Sequence, residues 1–315
     1  MDKKKISRRS FLHRTSLAAA LPYLSSCSPS GFTFDQGRTA DNTFALLSDM
    51  HVSSDPDFMG HYYPPIEGDE GINVNASFMK VVGELVALKS KPQLAIICGD
   101  CAYDSGTEEE YVRFRDAAAP LHPAKIPLYS AMGNHDTFAN FNTIMPEHLQ
   151  MESNVSGECC YVIPCKNVNW FVLDSTSGAH GSAQHKWLAG ELDKHPEKPA
   201  MLVTHYPPNF EHKQIDHPFI DSTLEDTDAL FEIISRRKQV KALFVGHWHF
   251  WYPAKAHDIH IVNMPSVMSS FRPGDPNGWL NVETKEEGMI LTLNNSNPRS
   301  ERHNDHGKNI KLKWR

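Results

Sequence analysis

Short apolar runs alternate along the chain with longer amphipathic segments. The runs end at turn-forming or polar residues and are too short for helices, which indicates strands. They cover residues 44–47, 94–98, 126–132, 160–163, 168–173, 200–203, 242–245, 259–263 and 288–293. The longer segments have apolar residues every three or four positions, as helices on a sheet do; they cover residues 75–88, 107–119, 182–194 and 227–237. This alternation predicts an α/β fold with a sheet that is at least partly parallel.

Two further segments leave alternatives open. Residues 52–75 are rich in proline and glycine, and His61, Tyr62 and Tyr63 form either one wall of a substrate cleft or a packing contact with the surface. The tail at residues 311–314 is either an edge strand or a surface strap.

The first 27 residues are typical of an export signal. Basic residues lead to the pair Arg8-Arg9, a short apolar run follows, and residues 24–27 end in Cys27. The arginine pair resembles a twin-arginine signal, and residues 24–27 resemble a bacterial lipobox whose cysteine is lipidated. We therefore expect an envelope protein on the periplasmic side, anchored at Cys27; the alternative is a basic helix on a cytosolic protein. Residues 28–42 read as a flexible tether and residues 43–315 as the globular domain.

Composition excludes some classes of protein. With 315 residues and 40% hydrophobic content, the chain can bury a large core. A formal net charge of −7 without a basic stripe argues against a nucleic acid duplex as partner, and no apolar stretch is long enough to span a membrane. If Cys27 is lipidated, five cysteines remain, so at least one thiol is free; a bridge from Cys159 or Cys160 to Cys165 stays open.

Five apolar runs end in residues that can bind metal ions. These residues are Asp49 and His51, Asp100, Asn134 and His135, His205, and His247 and His249. In an extended chain, residues two apart project to the same side, so each Asp-x-His or His-x-His pair would face one site. Gly246 is expected to let the backbone turn sharply as it leaves its strand. Singly these residues are ordinary caps or turn residues; together they form a mixed N/O set that suits two divalent ions, Mn, Fe, Zn or Mg.

The order of these motifs resembles the signature of the calcineurin-like metallophosphoesterases, and the resemblance extends from residue 43 to about residue 293. It implies a four-layer α-β-β-α sandwich, with two mixed sheets face to face and helices outside, and a two-metal centre at the strand ends. Matched by position, Asp49, His51 and His249 would hold the first ion. Asn134, His205 and His247 would hold the second, and Asp100 would bridge both. The family's purple acid phosphatases bind metal through a tyrosine, but His51 fills a position that they leave without histidine, so we expect Tyr103 not to ligate.

The predicted chemistry is hydrolysis of a phosphate ester by a hydroxide that bridges the two ions. His135 is the predicted proton donor to the leaving oxygen. Asp136 is predicted either to orient a nearby imidazole or to cap a turn.

The predicted substrate is a small phosphodiester or phosphomonoester, with cyclic or simple nucleotides favoured by analogy. One alternative is an acid-phosphatase-like phosphomonoesterase, whose extra donors could only be Arg272, Lys213 and His212. The other is a non-catalytic metal-binding scaffold in the envelope. The sequence leaves the oligomeric state open.

Overall fold

The computed structural model describes residues 42–61, 67–209, 222–271, 274–297 and 303–315. Within these ranges the chain forms fourteen strands and five α-helices. The strands are β1 (Thr43–Leu47), β2 (Met59–Gly60), β3 (Ile72–Asn73), β4 (Leu94–Cys98), β5 (Leu128–Ala131), β6 (Tyr161–Pro164), β7 (Asn169–Val172), β8 (Ala200–Val203), β9 (Val240–Val245), β10 (Tyr252–Ala256), β11 (Ile259–Asn263), β12 (Gly278–Lys285), β13 (Gly288–Asn295) and β14 (Asn309–Lys313). The helices are α1 (Val74–Ala87), α2 (Glu108–Ala118), α3 (Phe138–Ile144), α4 (Gly181–Asp193) and α5 (Thr227–Ile234).

Twelve of these strands form two six-stranded mixed sheets. The first has the order β14-β13-β12-β1-β4-β5, in which β1, β4 and β5 run parallel and the other pairs are antiparallel. The second has the order β10-β11-β9-β8-β7-β6, with a parallel centre from β11 to β7 and antiparallel edges. Strands β1, β4, β7, β8 and β9 are almost entirely buried, as parallel strands in a sheet covered on both faces are, whereas the parallel strand β5 lies at an edge of its sheet.

The two sheets pack face to face through aromatic side chains. Phe44 of β1 lies 5.1 Å from Trp170 of β7, measured between ring centroids, and Trp170 lies 5.4 Å from Phe244 of β9. Neighbouring residues of β7 point to opposite faces, and Phe171 packs in a second cluster with Leu188 of α4 and residues of α5. Helices α1 and α2 meet through their stacked phenylalanines and share the first cluster with the inner strands. These contacts confirm the predicted α-β-β-α layering.

The structure contains elements that the apolar runs do not predict. The apolar runs do not indicate strand β12, because Asn281 and Glu283 interrupt its apolar residues. It lies between β1 and β13, and buried and half-buried positions alternate from Leu280 to Thr284. Strand β10 is half-buried or exposed throughout, and α3 has only seven residues, too few for a periodic pattern. Of the two predictions for the tail, the edge strand is right: β14 pairs with β13.

All five described cysteines are free and buried, so the structure does not form the bridge that the sequence left open. The Cys159 thiol instead donates a hydrogen bond to the Ser130 carbonyl oxygen at 3.3 Å. Among the described residues, no helix combines the length and apolar character needed to cross a bilayer.

Several predictions fall on residues outside the described ranges. These are the export signal, all of the tether except Asn42, the two loop tyrosines, and the three candidate phosphate donors His212, Lys213 and Arg272.

Candidate metal centre

The loops that carry the predicted ligands all leave the carboxyl ends of parallel strands. In the first sheet they follow β1, β4 and β5, which are neighbours; in the second they follow β8 and β9, which are also neighbours. Parallel neighbours end at the same edge of a sheet, and the two edges face each other because the sheets are stacked. All seven predicted ligands are therefore brought to one cleft between the sheets.

The backbone of these loops is left-handed, not extended. Positive φ angles occur at Asp49 (54°), His51 (48°), Asp100 (55°), His247 (70°) and His249 (53°). Alternation along an extended chain therefore does not explain how the pairs are placed: Asp49 and His51 lie in one group of ligand atoms, whereas His247 and His249 lie in two different groups. A non-glycine residue in this conformation costs about 1–3 kcal/mol, so the surrounding structure must hold it in place.

One group of ligand atoms comes from Asp49, His51 and His249, and these atoms lie within 4.8 Å of one another. The two imidazole Nε2 atoms are 3.1 Å apart, and His249 Nε2 is 3.4 Å from Asp49 Oδ1. The other carboxylate oxygen of Asp49, Oδ2, is buried and has no hydrogen-bond partner within the described ranges.

A second group comes from Asp100, His205 and His247, again within 4.8 Å. His205 Nε2 lies 3.1 Å from Asp100 Oδ2 and 3.1 Å from Asn134 Oδ1, which adds the amide to this group. Asp100 Oδ2 is also 3.4 Å from His51 Nε2 in the first group. Asp100 thus lies between the two groups, where a bridging ligand would.

The hydrogen bonds of the imidazoles show that these groups suit a cation. His249 Nδ1 lies 3.1 Å from the Ser269 carbonyl oxygen, and His51 Nδ1 faces the Tyr103 carbonyl oxygen at 3.5 Å. A carbonyl only accepts, so each Nδ1 carries the hydrogen, and a ring without a second proton presents a lone pair at Nε2. Two lone pairs that face each other at 3.1 Å repel unless a cation lies between them.

The charges of the cleft lead to the same conclusion. Burial opposes ionisation of Asp49, but the nearby His249 and His205 outweigh it and lower its pKa to about 2. Burial lowers the pKa of His51 to about 4, which keeps that imidazole neutral. Burial also disfavours a charged His205, yet Asp100 beside it raises its pKa to about 9. The two carboxylates therefore retain a proton on His205, and a cleft that does so also favours metal cations.

Two glycines allow the loops to approach closely. A Cβ at Gly133 would lie 2.1 Å from Asp100 Oδ1 and 2.6 Å from the Asp100 backbone nitrogen. A Cβ at Gly246 would lie 2.1 Å from Ser48 Oγ and 2.8 Å from Asp49 Oδ2. The expected sharp turn follows β9, since the Trp248 amide donates to the Gly246 carbonyl oxygen at 2.8 Å; Gly246 itself does not have a positive φ, and what it contributes is the close approach.

The two predicted catalytic residues lie in different surroundings. His135 is half-buried, its ring centroid is 4.8 Å from that of His51, and its Nδ1 is 3.0 Å from the Asp104 carbonyl oxygen. Asp136 is buried and accepts hydrogen bonds from the Tyr111 hydroxyl and three backbone amides, those of Cys101, Ala102 and Gly133. These contacts favour the turn-capping interpretation of Asp136, by which it positions the loops that carry Asp100 and Asn134.

Sequence reasoning missed several neighbours of the ligands. Ser222 Oγ lies 2.8 Å from His247 Nε2, the Ser269 carbonyl accepts from His249, and Phe271 stacks on the His249 ring at 4.2 Å. Tyr206 lies over the His247 ring at 4.2 Å, and only its position next to His205 could have indicated it. Ser222, Ser269 and Phe271 lie in segments without a sequence motif.

The centre is open on one side. Asp49, His51, Asp100 and His205 are buried, whereas Asn134 is exposed and His135 and His247 are half-buried. A small molecule can therefore reach the centre from the side of the β5 loop, where His135 lies.

Comparison with known proteins places this geometry in context. The family profile of the calcineurin-like phosphoesterases matches residues 43–250. The chain is 27% identical over 217 residues to a 3′,5′-cyclic-nucleotide phosphodiesterase from Nostoc sp. (strain PCC 7120), covering 68% of this chain and 77% of that protein. It is 26% identical over 235 residues to the "Probable glycerophosphodiester phosphodiesterase GpdQ" of Arcobacter nitrofigilis, covering 69% and 83%. A dimetal phosphatase from Danio rerio has the same fold, with a TM-score of 0.63, 13% identity, and coverage of 88% of this chain and 100% of that one.

Substitution of Gly133 tests the close approach. In Gly133→Ala the new methyl group would overlap a backbone atom of Asp100, so we expect a loss of about 1–3 kcal/mol of unfolding free energy together with lower metal content. Thermal denaturation and elemental analysis of the purified variant measure both quantities.

The matched control is Gly83→Ala in α1. A Cβ at Gly83 meets no atom within 4 Å, and alanine is favoured over glycine inside a helix by up to about 1 kcal/mol. This variant should be as stable as the parent or more so, with unchanged metal content. Equal behaviour of the two variants would contradict the assigned role of Gly133.

Proposed function

The chain belongs to the calcineurin-like phosphoesterase family, and on that premise we propose that it hydrolyses small phosphodiesters, with cyclic nucleotides the first candidates. It is a hydrolase of phosphoric ester bonds. The observation that carries the proposal is the pair of ligand groups that share Asp100 and open to solvent beside His135. The names of the relatives from Nostoc and Arcobacter, both phosphodiesterases, support a diester substrate.

The residues of the cleft fit two divalent ions. When bound, the ions supply positive charge that polarises the phosphate and lowers the pKa of a water molecule. The mixed imidazole, carboxylate and amide ligands suit Mn, Fe or Zn, with Mg also open. Only two of the seven ligands are anionic, so the loaded site keeps an excess of positive charge that attracts an ester phosphate.

The contacts of His135 support the proposal that it protonates the leaving oxygen. Its Nδ1 donates to the Asp104 carbonyl oxygen at 3.0 Å, which fixes the ring and leaves Nε2 to hold and deliver a proton. The main-chain N–H of His135 also donates to Asp100 Oδ1 at 3.0 Å, so the residue is tied to the bridging carboxylate. This hydrogen bond fixes the position of His135 relative to the centre.

Aromatic side chains beside the centre support a nucleotide substrate. Phe58 and Tyr103 pack together at 4.2 Å between ring centroids, and Tyr103 lies 6.2 Å from His51. Both residues are half-buried, so part of each remains accessible. A base that stacks on an aromatic ring gains about 1–3 kcal/mol without hydrogen bonds to its edges.

The paired hydrolysis of an aryl phosphodiester and the matching monoester tests the substrate class. We expect kcat/KM for the diester to exceed that for the monoester by about tenfold or more, a difference of ~1.4 kcal/mol. A chelator should abolish the activity, and Mn, Fe or Zn should restore it. Preference for the monoester would favour the acid-phosphatase alternative, and no turnover with two ions bound would favour the scaffold.

Substitution of His135 tests the proton donor. In His135→Gln we expect kcat to fall about 100-fold or more for a cyclic nucleotide, whose leaving alkoxide needs a proton. The loss should be much smaller for a nitrophenyl ester, because nitrophenolate leaves without one. Metal content should remain at the value of the parent.

The matched control is His122→Gln, which changes an exposed histidine that packs against His148 outside the ligand loops. It should leave both activities unchanged. Equal losses on the two substrates in His135→Gln would contradict proton donation and indicate a general disturbance of the centre.

We also propose that the chain is exported and anchored by lipid at Cys27. Support comes from the sequence alone: the arginine pair, the short apolar run and the lipobox-like residues 24–27. Fractionation of cells that express the full chain should recover it with membranes, and Cys27→Ser should move it to the soluble periplasmic fraction. Recovery of both forms in the cytosol would overturn the proposal.

A further inference from the structure

Another cluster of side chains that could bind a metal ion lies apart from the principal centre, by which we mean the two ligand groups that share Asp100. His180 directly precedes α4, His185 lies in the second turn of that helix, and Asp226 directly precedes α5. Their ligand atoms all lie within 4.8 Å of one another. His180 Nδ1 is 3.9 Å from Asp226 Oδ1, and His185 Nε2 is 3.5 Å from Asp226 Oδ2.

The two imidazole nitrogens that face Asp226 have no hydrogen-bond partner in the part of the chain that the structure describes. Both His180 Nδ1 and His185 Nε2 are buried atoms of this kind. A buried, unpaired ring nitrogen costs about 1–3 kcal/mol, and two beside one carboxylate indicate that something else pairs with them. His180 Nε2 lies 2.9 Å from Thr204 Oγ1; if it donates there, His180 Nδ1 is left with a lone pair.

An ion pair with Asp226 does not account for His180. Burial lowers the pKa of His180 to about 4, so its ring is neutral near pH 7. At 3.9 Å the separation of His180 Nδ1 from the carboxylate is too long for a hydrogen bond. The carboxylate already accepts from the backbone amides of His180 and Gly181, at 3.0 and 2.8 Å to Oδ2, which orients it toward the two rings.

We propose that His180, His185 and Asp226 bind a third divalent cation, of the Zn²⁺ type. Bonds of about 2.0–2.1 Å in tetrahedral geometry place ligand atoms roughly 3.4 Å apart. His185 Nε2 lies 3.5 Å from Asp226 Oδ2 and His180 Nδ1 lies 3.9 Å from Asp226 Oδ1, so each nitrogen approaches this spacing to one oxygen of the carboxylate. Two imidazoles and one carboxylate favour zinc over magnesium or calcium, which prefer oxygen. The side chains of His185 and Asp226 are 12% and 21% exposed, so the ion has a route in and room for a water ligand.

The location of this site suggests what the ion would stabilise. It joins the start of α4 to the start of α5, the two helices that cover the outer face of the second sheet. Through His180 the site also contacts Thr204, the residue that precedes the ligand His205. The third ion therefore has a positioning role, in which it fastens two helices to the strand end that carries part of the principal centre.

Metal stoichiometry of the purified protein tests this proposal without reference to activity. The protein is loaded with Zn²⁺, passed through metal-free buffer and analysed for zinc per chain. We expect the parent to hold one ion more than His185→Leu, whatever the loading of the principal centre. In the Co²⁺-loaded protein, the d–d absorption of the parent should include a component that His185→Leu lacks.

The matched control is His195→Leu, which changes an exposed histidine just beyond the end of α4. It should bind as many ions as the parent. His185→Gln, which keeps a polar side chain, replaces His185→Leu if the latter fails to fold. Equal zinc content in the parent and the His185 variant would overturn the proposal. A His185 variant that binds one ion fewer and keeps the principal centre unchanged would support it. Failure of the parent protein to hydrolyse phosphodiesters would contradict the proposed function and not this proposal.

Discussion

Two carboxylates, Asp49 and Asp100, are buried where the strand ends of two stacked sheets meet, and the surrounding structure compensates for their charge. A buried, unpaired carboxylate is strongly destabilising. Here each one lies within 3.4 Å of an imidazole Nε2, and backbone amides of His135 and His247 donate to them at 3.0 Å. The same concentration of negative charge and lone pairs makes the cleft a site for cations. Stability of the fold and affinity for metal therefore depend on the same groups.

This arrangement needs a backbone that local preferences oppose. Five ligands have left-handed φ angles, and Gly133 and Gly246 bring the loops closer together than any side chain would allow. Such strain persists only where the surrounding packing over-determines it. The aromatic contacts between Phe44, Trp170 and Phe244 provide that packing, because they hold the two sheets, and hence the two sets of strand ends, in a fixed relation.

The chemistry follows from which side of the centre is open. The ligands toward the core are buried and neutral or paired, whereas Asn134 and His135 face the solvent. An ester that enters there would meet the excess positive charge of the loaded site beside His135, the residue that we propose as proton donor. Hydrolysis of phosphoric esters, the activity of the family, needs the positive charge, and an ester with a poorly leaving alkoxide needs a proton as well. The aromatic pair Phe58 and Tyr103 beside this opening bears on the choice of substrate and not on the reaction itself.

The sequence by itself determined which residues are candidate ligands and most of the strands, because apolar runs and the residues that end them are local signals. It could not indicate β10 and β12, whose polar residues are tolerated only because of where these strands lie in their sheets. Nor could it indicate that the paired ligands are left-handed, or that Gly246 makes room for Asp49. The group of His180, His185 and Asp226 depends on tertiary structure as well. Asp226 follows His180 by 46 positions, and only the packing of α4 beside α5 brings its carboxylate to the two imidazoles. Distances between segments remote in sequence are set by how sheets and helices pack, and a local pattern carries no information about them.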